Sequence, residues 1–168
     1  MKSPIAHLAR CTGLGLLLSL LSSCGNSPDD TATSQIPASP PVSEVTITGN
    51  DRMRFEPATF TVRAGSEVSL TFRNIGTMPK ATMGHNLVIL LPGTNTLTFA
   101  TAATNFLEHD YIAPQYADRV VATTRILGPG EAQVLQFRAP STPGRYPVVC
   151  SFPGHTQAGM VGSMTVVR

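Results

Sequence analysis

The chain has 168 residues, with 12 Lys and Arg against 10 Asp and Glu, and 42% of its residues are hydrophobic. Lys2 and Arg10 belong to an N-terminal leader, so removal of the leader leaves ten basic and ten acidic residues. This neutral balance argues against nucleic-acid binding, which needs clustered positive charge, and indicates partners that dock without strong electrostatic steering.

The N-terminus has the pattern of a secretory signal. Basic residues precede an apolar run over 11–21, which is shorter than the roughly twenty residues of a membrane span. Two serines then precede Cys24, as in the cleavage box of bacterial lipoproteins. We therefore expect a signal peptide over 1–23 and a lipid on Cys24, which would anchor the protein to a bacterial membrane with its domain facing the periplasm or the cell exterior. The alternative is an ordinary secretory signal in which Cys24 is incidental.

Composition divides the rest of the chain into two parts. Residues 24–42 are rich in Pro, Ser, Thr, Asp and Ala and offer little to bury, so we expect a flexible tether. Residues 43–168 are then a single folded domain, large enough for one hydrophobic core.

Alternating apolar and polar residues predict short strands through most of 43–74, with turns at 64–66 and 74–76. A polar loop over 77–84 follows, and then the apolar run 87–91, which is typical of a central strand covered on both faces. Strands of this length and spacing predict an all-β antiparallel sandwich.

Residues 95–119 interrupt the strand pattern. Two stripes recur at helical spacing, one containing Leu97 and the other Phe99, and they end at Pro114, so we predict a helical flap inserted between strands. His109 in this flap is a conceivable metal ligand or general base, but we interpret it as a solvated loop residue. Strands are predicted again after the flap, over 120–127, 132–138 and 145–151.

The last quarter of the chain carries the chemistry. Cys150, His155 and Met160 offer a thiolate, an imidazole and a thioether within eleven residues, and His85 is the candidate for a second imidazole. These soft and borderline donors suit copper better than magnesium or calcium, which prefer oxygen. Cys150 shares the strand parity of Tyr146, so it should face the core.

Cysteine usage supports metal binding. Cys11 is lost with the leader and Cys24 is the predicted lipid site, which leaves Cys150 alone in the exported domain. Most exported cysteines are paired in disulfides, so a lone one needs another explanation, and metal ligation supplies it.

This donor set favours electron transfer by one copper ion alternating between Cu(I) and Cu(II) rather than catalysis. Four protein donors leave no open position for a small-molecule substrate, and no His-x-His or His-Cys-His arrangement exists for further coppers. We therefore do not expect an enzyme. The alternatives are a periplasmic copper carrier or storage lipoprotein that uses the same ligands, and a structural domain whose thiol is merely buried.

The segments Met83-Gly84-His85-Asn86 and Cys150 to Met160 resemble those of the blue copper proteins, or cupredoxins, most closely azurin and auracyanin. Further similarity to azurin at 49–55, 79–80 and 110–114 extends the resemblance over 45–168. It implies a Greek-key sandwich of about eight strands holding one copper ion. His85, Cys150 and His155 would be the trigonal ligands, and Met160 a long axial one.

The resemblance also implies roles for the neighbours of these ligands. The Gly84 carbonyl would be a weak metal contact, the Asn86 side chain and the Phe152 amide would hydrogen-bond around the Cys150 sulfur, and Pro153 would remove one possible donor to it. An apolar patch around His155 would dock redox partners such as c-type cytochromes or a membrane electron-transfer complex. Its residues would be Met53, Met78, Met83, Phe152 and Ala158.

The sequence departs from azurin at several positions. Four residues separate His155 from Met160 where azurin has three, as in auracyanin and rusticyanin. Azurin's paired cysteines are absent, Leu87 replaces a core tryptophan, and Asn74 replaces a histidine that titrates with pH. We therefore expect no pH-linked switch at position 74.

Overall fold

The computed structural model describes residues 40–168. The predictions of a signal peptide over 1–23, of lipid on Cys24 and of a tether up to residue 39 fall outside the described residues. The described part of the chain contains no helix with the length and apolarity needed to cross a bilayer.

Nine strands form in the described residues, joined by two short α-helices and two 3-10 helices. The strands are β1 (Glu44–Asn50), β2 (Arg54–Glu56), β3 (Thr59–Arg63), β4 (Glu67–Asn74), β5 (Val88–Leu90), β6 (Val120–Thr123), β7 (Ala132–Arg138), β8 (Gly144–Val149) and β9 (Val161–Val167). The α-helices are α1 (Lys80–Met83) and α2 (Thr96–Ala103), and the 3-10 helices span Leu107–His109 and Pro114–Arg119.

The strands form a two-sheet sandwich, which confirms the all-β prediction. One sheet has the order β2-β1-β4-β7 and the other β3-β9-β8-β5-β6. The chain leaves the first sheet between β2 and β3, where Pro57 and Ala58 separate the two strands, and returns to it at β4. It then crosses to the second sheet for β5 and β6, returns to the first for β7, and ends in the second with β8 and β9. These changes of sheet give the sandwich its long-range pairings.

Two strand pairs depart from the predicted antiparallel arrangement. β1 pairs with β4 in parallel, with Ile47 opposite Phe72, and β3 pairs with β9 in parallel, with Phe60 opposite Met164. Alternation along a strand reports which face is buried and carries no information on the direction of its neighbour. The crossing connections between sheets place these partners side by side.

The core lies between the sheets and is built from the inward residues of both. Phe72, Leu70, Ile47, Leu87 and Ile89 have at most 1% of their surface exposed. Burying side chains of this kind stabilises a fold by roughly 1.5–3 kcal/mol each. The core continues to the end of the sandwich where β5 begins and β8 ends, and Cys150 and Met160 belong to the same cluster of buried residues.

The helical flap is confirmed, and the buried face of α2 takes Phe99, Ala100 and Ala103 from both apolar stripes. Phe99 is fully buried and packs edge-on against Tyr116 with ring centroids 5.5 Å apart, whereas Leu97 remains 55% exposed. The Asn95 side chain caps α2 by accepting the Thr98 backbone N–H at 3.0 Å. The predicted polar loop over 77–84 contains the single-turn helix α1, which begins at Lys80.

Candidate metal centre

Three donor atoms from two distant segments meet at one end of the sandwich. The Nδ1 atoms of His85 and His155 lie 3.1 Å apart, and the Cys150 Sγ lies 3.9 Å from the first and 3.4 Å from the second. All three residues are buried, with no more than 3% of any of them exposed. The candidate metal ligands chosen from the sequence therefore face one another.

His85 reaches this position through the backbone around it. Its N–H and C=O pair with the C=O and N–H of Leu127 at 3.0 and 2.7 Å, which fixes the residue three positions before the start of β5. Gly84 precedes it where no side chain fits, since a Cβ there would lie 2.6 Å from both Ile126 and the Lys80 carbonyl. The chain can pass this closely only because residue 84 is glycine.

The segment from Cys150 to Met160 is folded back on itself by its own hydrogen bonds. The Cys150 N–H donates to the Met160 carbonyl at 3.2 Å, and the Met160 N–H donates to the His155 carbonyl at 2.9 Å. The Thr156 hydroxyl donates to the Cys150 carbonyl at 2.8 Å. Met160 is fully buried, and its methyl group packs close to Gly49, 3.0 Å from where a Cβ on that residue would lie. The three ligand types of this segment are thus held together without a metal.

Asn86 fastens the two segments to each other. Its side-chain carbonyl accepts the Ser151 N–H at 2.8 Å, and its amide group donates to the Ser151 hydroxyl at 2.8 Å and to the Asp110 carbonyl at 2.9 Å. The thiol of Cys150 is reached by backbone N–H groups of Asn86 and Phe152. The side chain of Asn86 therefore hydrogen-bonds to Ser151, the residue after the cysteine, while its backbone N–H interacts with the Cys150 sulfur.

Burial sets the protonation of the three donors. It raises the pKa of the Cys150 thiol to about 12, opposed by the backbone N–H groups of Asn86 and Phe152. It lowers the pKa of His155 to about 4, helped by the charge of His85, and it lowers the pKa of His85 as well. Both imidazoles are neutral at pH 7 and free to bind a metal, and a metal must displace the thiol proton.

The neighbourhood of His85 includes groups that oppose this shift. The backbone of Asn50 and the charge of Asp51 both raise its pKa, although less than burial lowers it. No acceptor meets ordinary hydrogen-bond geometry at the His85 Nε2 atom within the described residues. The other ring nitrogen, Nδ1, faces the donors of His155 and Cys150.

The spacing of the donor atoms fits a metal ion of ordinary bond lengths. With metal–nitrogen bonds of about 2.05 Å and a metal–sulfur bond of about 2.3 Å, a trigonal ion would separate its nitrogens by about 3.6 Å and sulfur from nitrogen by about 3.8 Å. The observed separations of 3.1, 3.4 and 3.9 Å are close to these values. Two histidines and a cysteine with a methionine nearby are the donor set of blue copper sites, whereas structural zinc sites use only Cys, His and carboxylates.

Comparison with known proteins decides the family. A family model described as copper binding proteins, plastocyanin/azurin family, matches residues 42–167. The chain belongs to this family. Its site, with His85, Cys150, His155 and Met160, is arranged to hold one copper ion.

Individual relatives agree with this assignment. Outer membrane protein H.8 of Neisseria meningitidis is 39% identical over 124 residues, which are 73% of this chain and 66% of the relative. Azurin of Alcaligenes faecalis is 31% identical over 67% of this chain and 89% of its own length. The structure of dithionite-reduced auracyanin from Roseiflexus castenholzii aligns with a TM-score of 0.67 at 28% identity, covering 77% of this chain and all of the auracyanin chain.

The other residues singled out in the sequence occupy different environments. Met78 is 41% exposed and Ala158 is exposed, Met53 and Met83 are half-buried, and Phe152 is 8% exposed with its ring centroid 4.6 Å from that of His155. His109 is not among the clustered donors. Its side chain is 56% exposed and lies 3.9 Å from Glu108, in agreement with its interpretation as a loop histidine.

The sequence analysis missed the anchor of the loop before α1. The Asp51 carboxylate accepts the N–H and the hydroxyl of Thr77 at 2.8 and 3.0 Å and the N–H of Met78 at 3.4 Å. The Thr77 backbone N–H is the main cause of the lowered pKa of Asp51. An Asp in the turn that ends a strand is a local signal for such a role, but its partner lies 26 residues later.

Proposed function

We propose that this protein carries single electrons between redox partners in or near a bacterial membrane. Copper supplies the one-electron couple between Cu(I) and Cu(II). The observation that carries the proposal is the buried His85–Cys150–His155 cluster, whose donor atoms all lie within 4.8 Å of one another without a metal. A site that is arranged in advance favours electron transfer, because its ligands need not move when the charge of the ion changes.

Each residue of the site has a role in this proposal. His85, Cys150 and His155 would be the main ligands that hold the copper ion, and Met160 would add a weaker thioether donor. Gly84 immediately precedes His85, and its backbone carbonyl would be a further weak contact to the ion. Backbone N–H groups of Asn86 and Phe152 stabilise the Cys150 thiolate, and the lack of an N–H at Pro153 limits the number of such donors.

Electrons would leave through the His155 side of the site. His155 retains 3% exposure whereas His85 is fully buried, so its imidazole edge is the nearer of the two to solvent. We assign the surrounding surface as the docking patch, formed by Met53, Met78, Met83, Phe152 and Ala158. Exposed methionine at Met78 suits a weak, adaptable contact. The partners would be redox proteins such as c-type cytochromes or a membrane electron-transfer complex.

The proposed location is a membrane surface outside the cytoplasm. The leader pattern ending at Cys24 supports it, and one relative is named an outer membrane protein. A Cys24→Ala variant should leave the copper site unchanged and move the protein from the membrane pellet to the soluble fraction. Retention of the variant in the pellet would refute the lipid anchor.

The decisive experiment adds Cu(II) to the purified protein and follows its visible spectrum and its redox cycling. We expect an intense blue thiolate-to-Cu(II) absorption and reversible one-electron oxidation at constant metal content. Cys150→Ser should abolish the absorption, and it is the control for adventitious copper. A protein that stays colourless would refute the copper assignment, and loss of copper to a chelator on each reduction would identify a copper carrier instead.

A further inference from the structure

Arg54 joins the start of β2 to the segment that carries Met160. Its Nη1 atom donates to the Met53 carbonyl at 2.8 Å and to the Ala158 carbonyl at 2.9 Å, across 104 residues of sequence. Met53 has a φ of 55°, in the left-handed region that residues other than glycine seldom adopt. One nitrogen of a charged guanidinium therefore bridges two carbonyl groups, one on each segment.

The Ala158 carbonyl lies in the part of the site where this chain has an additional residue compared with azurin. The N–H groups of Ala158, Gly159 and Met160 donate to Gly154, Thr156 and His155 at 2.9, 3.0 and 2.9 Å, so the segment forms a compact turn. Gly159 takes a φ of +91°, and a Cβ there would lie 3.4 Å from the Arg54 Nη1. Glycine at 159 thus provides both the turn and the space for the guanidinium.

We propose that Arg54 is a positioning residue for the axial ligand Met160. It holds the Ala158 carbonyl two residues before the thioether, and so restrains the longer His155–Met160 segment against the β1–β2 turn. The methionine is also contacted on its inner side by β1, because the Met160 methyl lies 3.0 Å from where a Cβ on Gly49 would be and only glycine leaves room for it. Restraint from both sides fixes how closely the sulfur can approach the plane of the other three donors.

The restraint consists of two charge-assisted hydrogen bonds from an exposed side chain. A hydrogen bond from a charged donor contributes more than a neutral one, and Arg54 makes two from a single nitrogen. Arg52 offers a matched comparison two residues earlier. It is exposed and carries the same charge, and within residues 40–168 its only hydrogen bond is from its backbone N–H to Asn50.

The first test measures amide hydrogen exchange in the metal-free protein, for which copper and electron transfer are not needed. Arg54→Met keeps the apolar stem and removes the donor, so we expect exchange at Gly159 and Met160 to become about fivefold faster. Arg52→Met should cause no change, and Arg54→Lys should restore part of the protection. Equal exchange in the two Met variants, or an equal increase at the core amide of Leu70, would overturn the proposal.

The second test uses the copper-loaded variants, and it deepens the proposed function because it concerns the same site. Arg54→Met should shift the thiolate absorption maximum and speed copper release from the reduced protein to a chelator by about fivefold, whereas Arg52→Met should do neither. Faster exchange with an unchanged spectrum and release rate would show that Arg54 holds the loop without positioning Met160. Failure of electron transfer itself would leave the exchange result intact, so the two proposals can fail separately.

Discussion

The Nδ1 atoms of His85 and His155 lie 3.1 Å apart, although the two residues are separated by 70 positions in the chain. In the metal-free protein this distance permits a hydrogen bond between one protonated and one unprotonated nitrogen. Copper would replace that contact, and each nitrogen would then bind the ion. The folded chain holds the two rings close together before copper binds. The hydrogen bond from Ser151 to Asn86 links the two segments, and the pairing of His85 with Leu127 fixes the first of them.

Removal of one ring should abolish tight copper binding. We expect His155→Ala to weaken Cu(II) affinity by more than about 100-fold, since loss of a direct ligand costs more than loss of an outer hydrogen bond. Competition with a chelator of known affinity measures this change. His109→Ala is the control, because His109 is exposed and lies outside the donor cluster. A similar loss in both variants would place the metal elsewhere.

Replacement of Met160 should change the reduction potential while copper stays bound. In Met160→Gln an amide oxygen takes the place of the thioether, and this harder donor favours Cu(II). We expect the midpoint potential to fall by at least about 60 mV, which is a tenfold change in relative affinity for a one-electron couple. Voltammetry measures it, with Met164→Leu in the core as the control. An unchanged midpoint would mean that Met160 does not contact copper.

The metal-free protein should lose stability as the pH falls from about 7 to about 4. Burial lowers the pKa of His155 from 6.5 to about 4, so the unfolded state binds more protons in this range and the free energy of unfolding decreases. Burial also lowers the pKa of His85, so protonation of His85 destabilises the folded state in the same direction. Asp51 and Glu131 have pKa values below their ordinary 3.8 and 4.5, so the stability that they contribute is lost at a lower pH than that of His155.

Urea denaturation at several pH values measures this dependence. His155→Gln is the matched variant, because glutamine does not titrate and should flatten most of the curve between pH 6.5 and 4. A wild-type protein with constant stability over that range would contradict the burial of neutral imidazoles.

A charge placed in the docking patch should slow electron exchange between two copies of the protein. Met78 is 41% exposed, and Met78→Glu would bring like charges together when two patches meet. We expect the self-exchange rate, measured by NMR line broadening in mixtures of Cu(I) and Cu(II) forms, to fall about tenfold at low salt and to recover at high salt. Leu97→Glu on α2 introduces the same charge at a residue that is 55% exposed. Equal slowing in both variants would exclude a specific role for the patch.

Asn74 should matter for stability rather than for pH sensing. Its amide group donates to the Leu127 carbonyl at 3.0 Å, and its carbonyl accepts the Gly76 N–H at 2.8 Å, in a position that is 1% exposed. Asn74→Ala should lower the free energy of unfolding by about 2 kcal/mol, because buried partners are left unsatisfied. Thr82→Ala at an exposed position is the control in the same urea titration. A change below about 0.5 kcal/mol would show that solvent replaces these bonds.

Much of the site could be predicted because its signals are local. Cys150, His155 and Met160 lie within eleven residues, and their donor types indicate copper whatever the fold of the rest of the chain. The inward direction of Cys150 followed from strand alternation, since successive side chains point to opposite faces. Pairing of His85 with this segment depended on the need for a second imidazole and on the resemblance to known copper proteins.

Contacts between distant segments were decided only by the tertiary structure. Local periodicity does not predict three of these contacts. They are the parallel pairing of β1 with β4, the hydrogen bond from the Ser151 N–H to Asn86, and the hydrogen bond from Arg54 to Ala158. Periodicity encodes which face of a strand avoids water, and that is a property of neighbouring residues. The partner that a buried polar group or a strand edge finds depends on how both sheets pack at once. The sequence thus determined the donors and the metal, while packing determined the distances at which the donors are held.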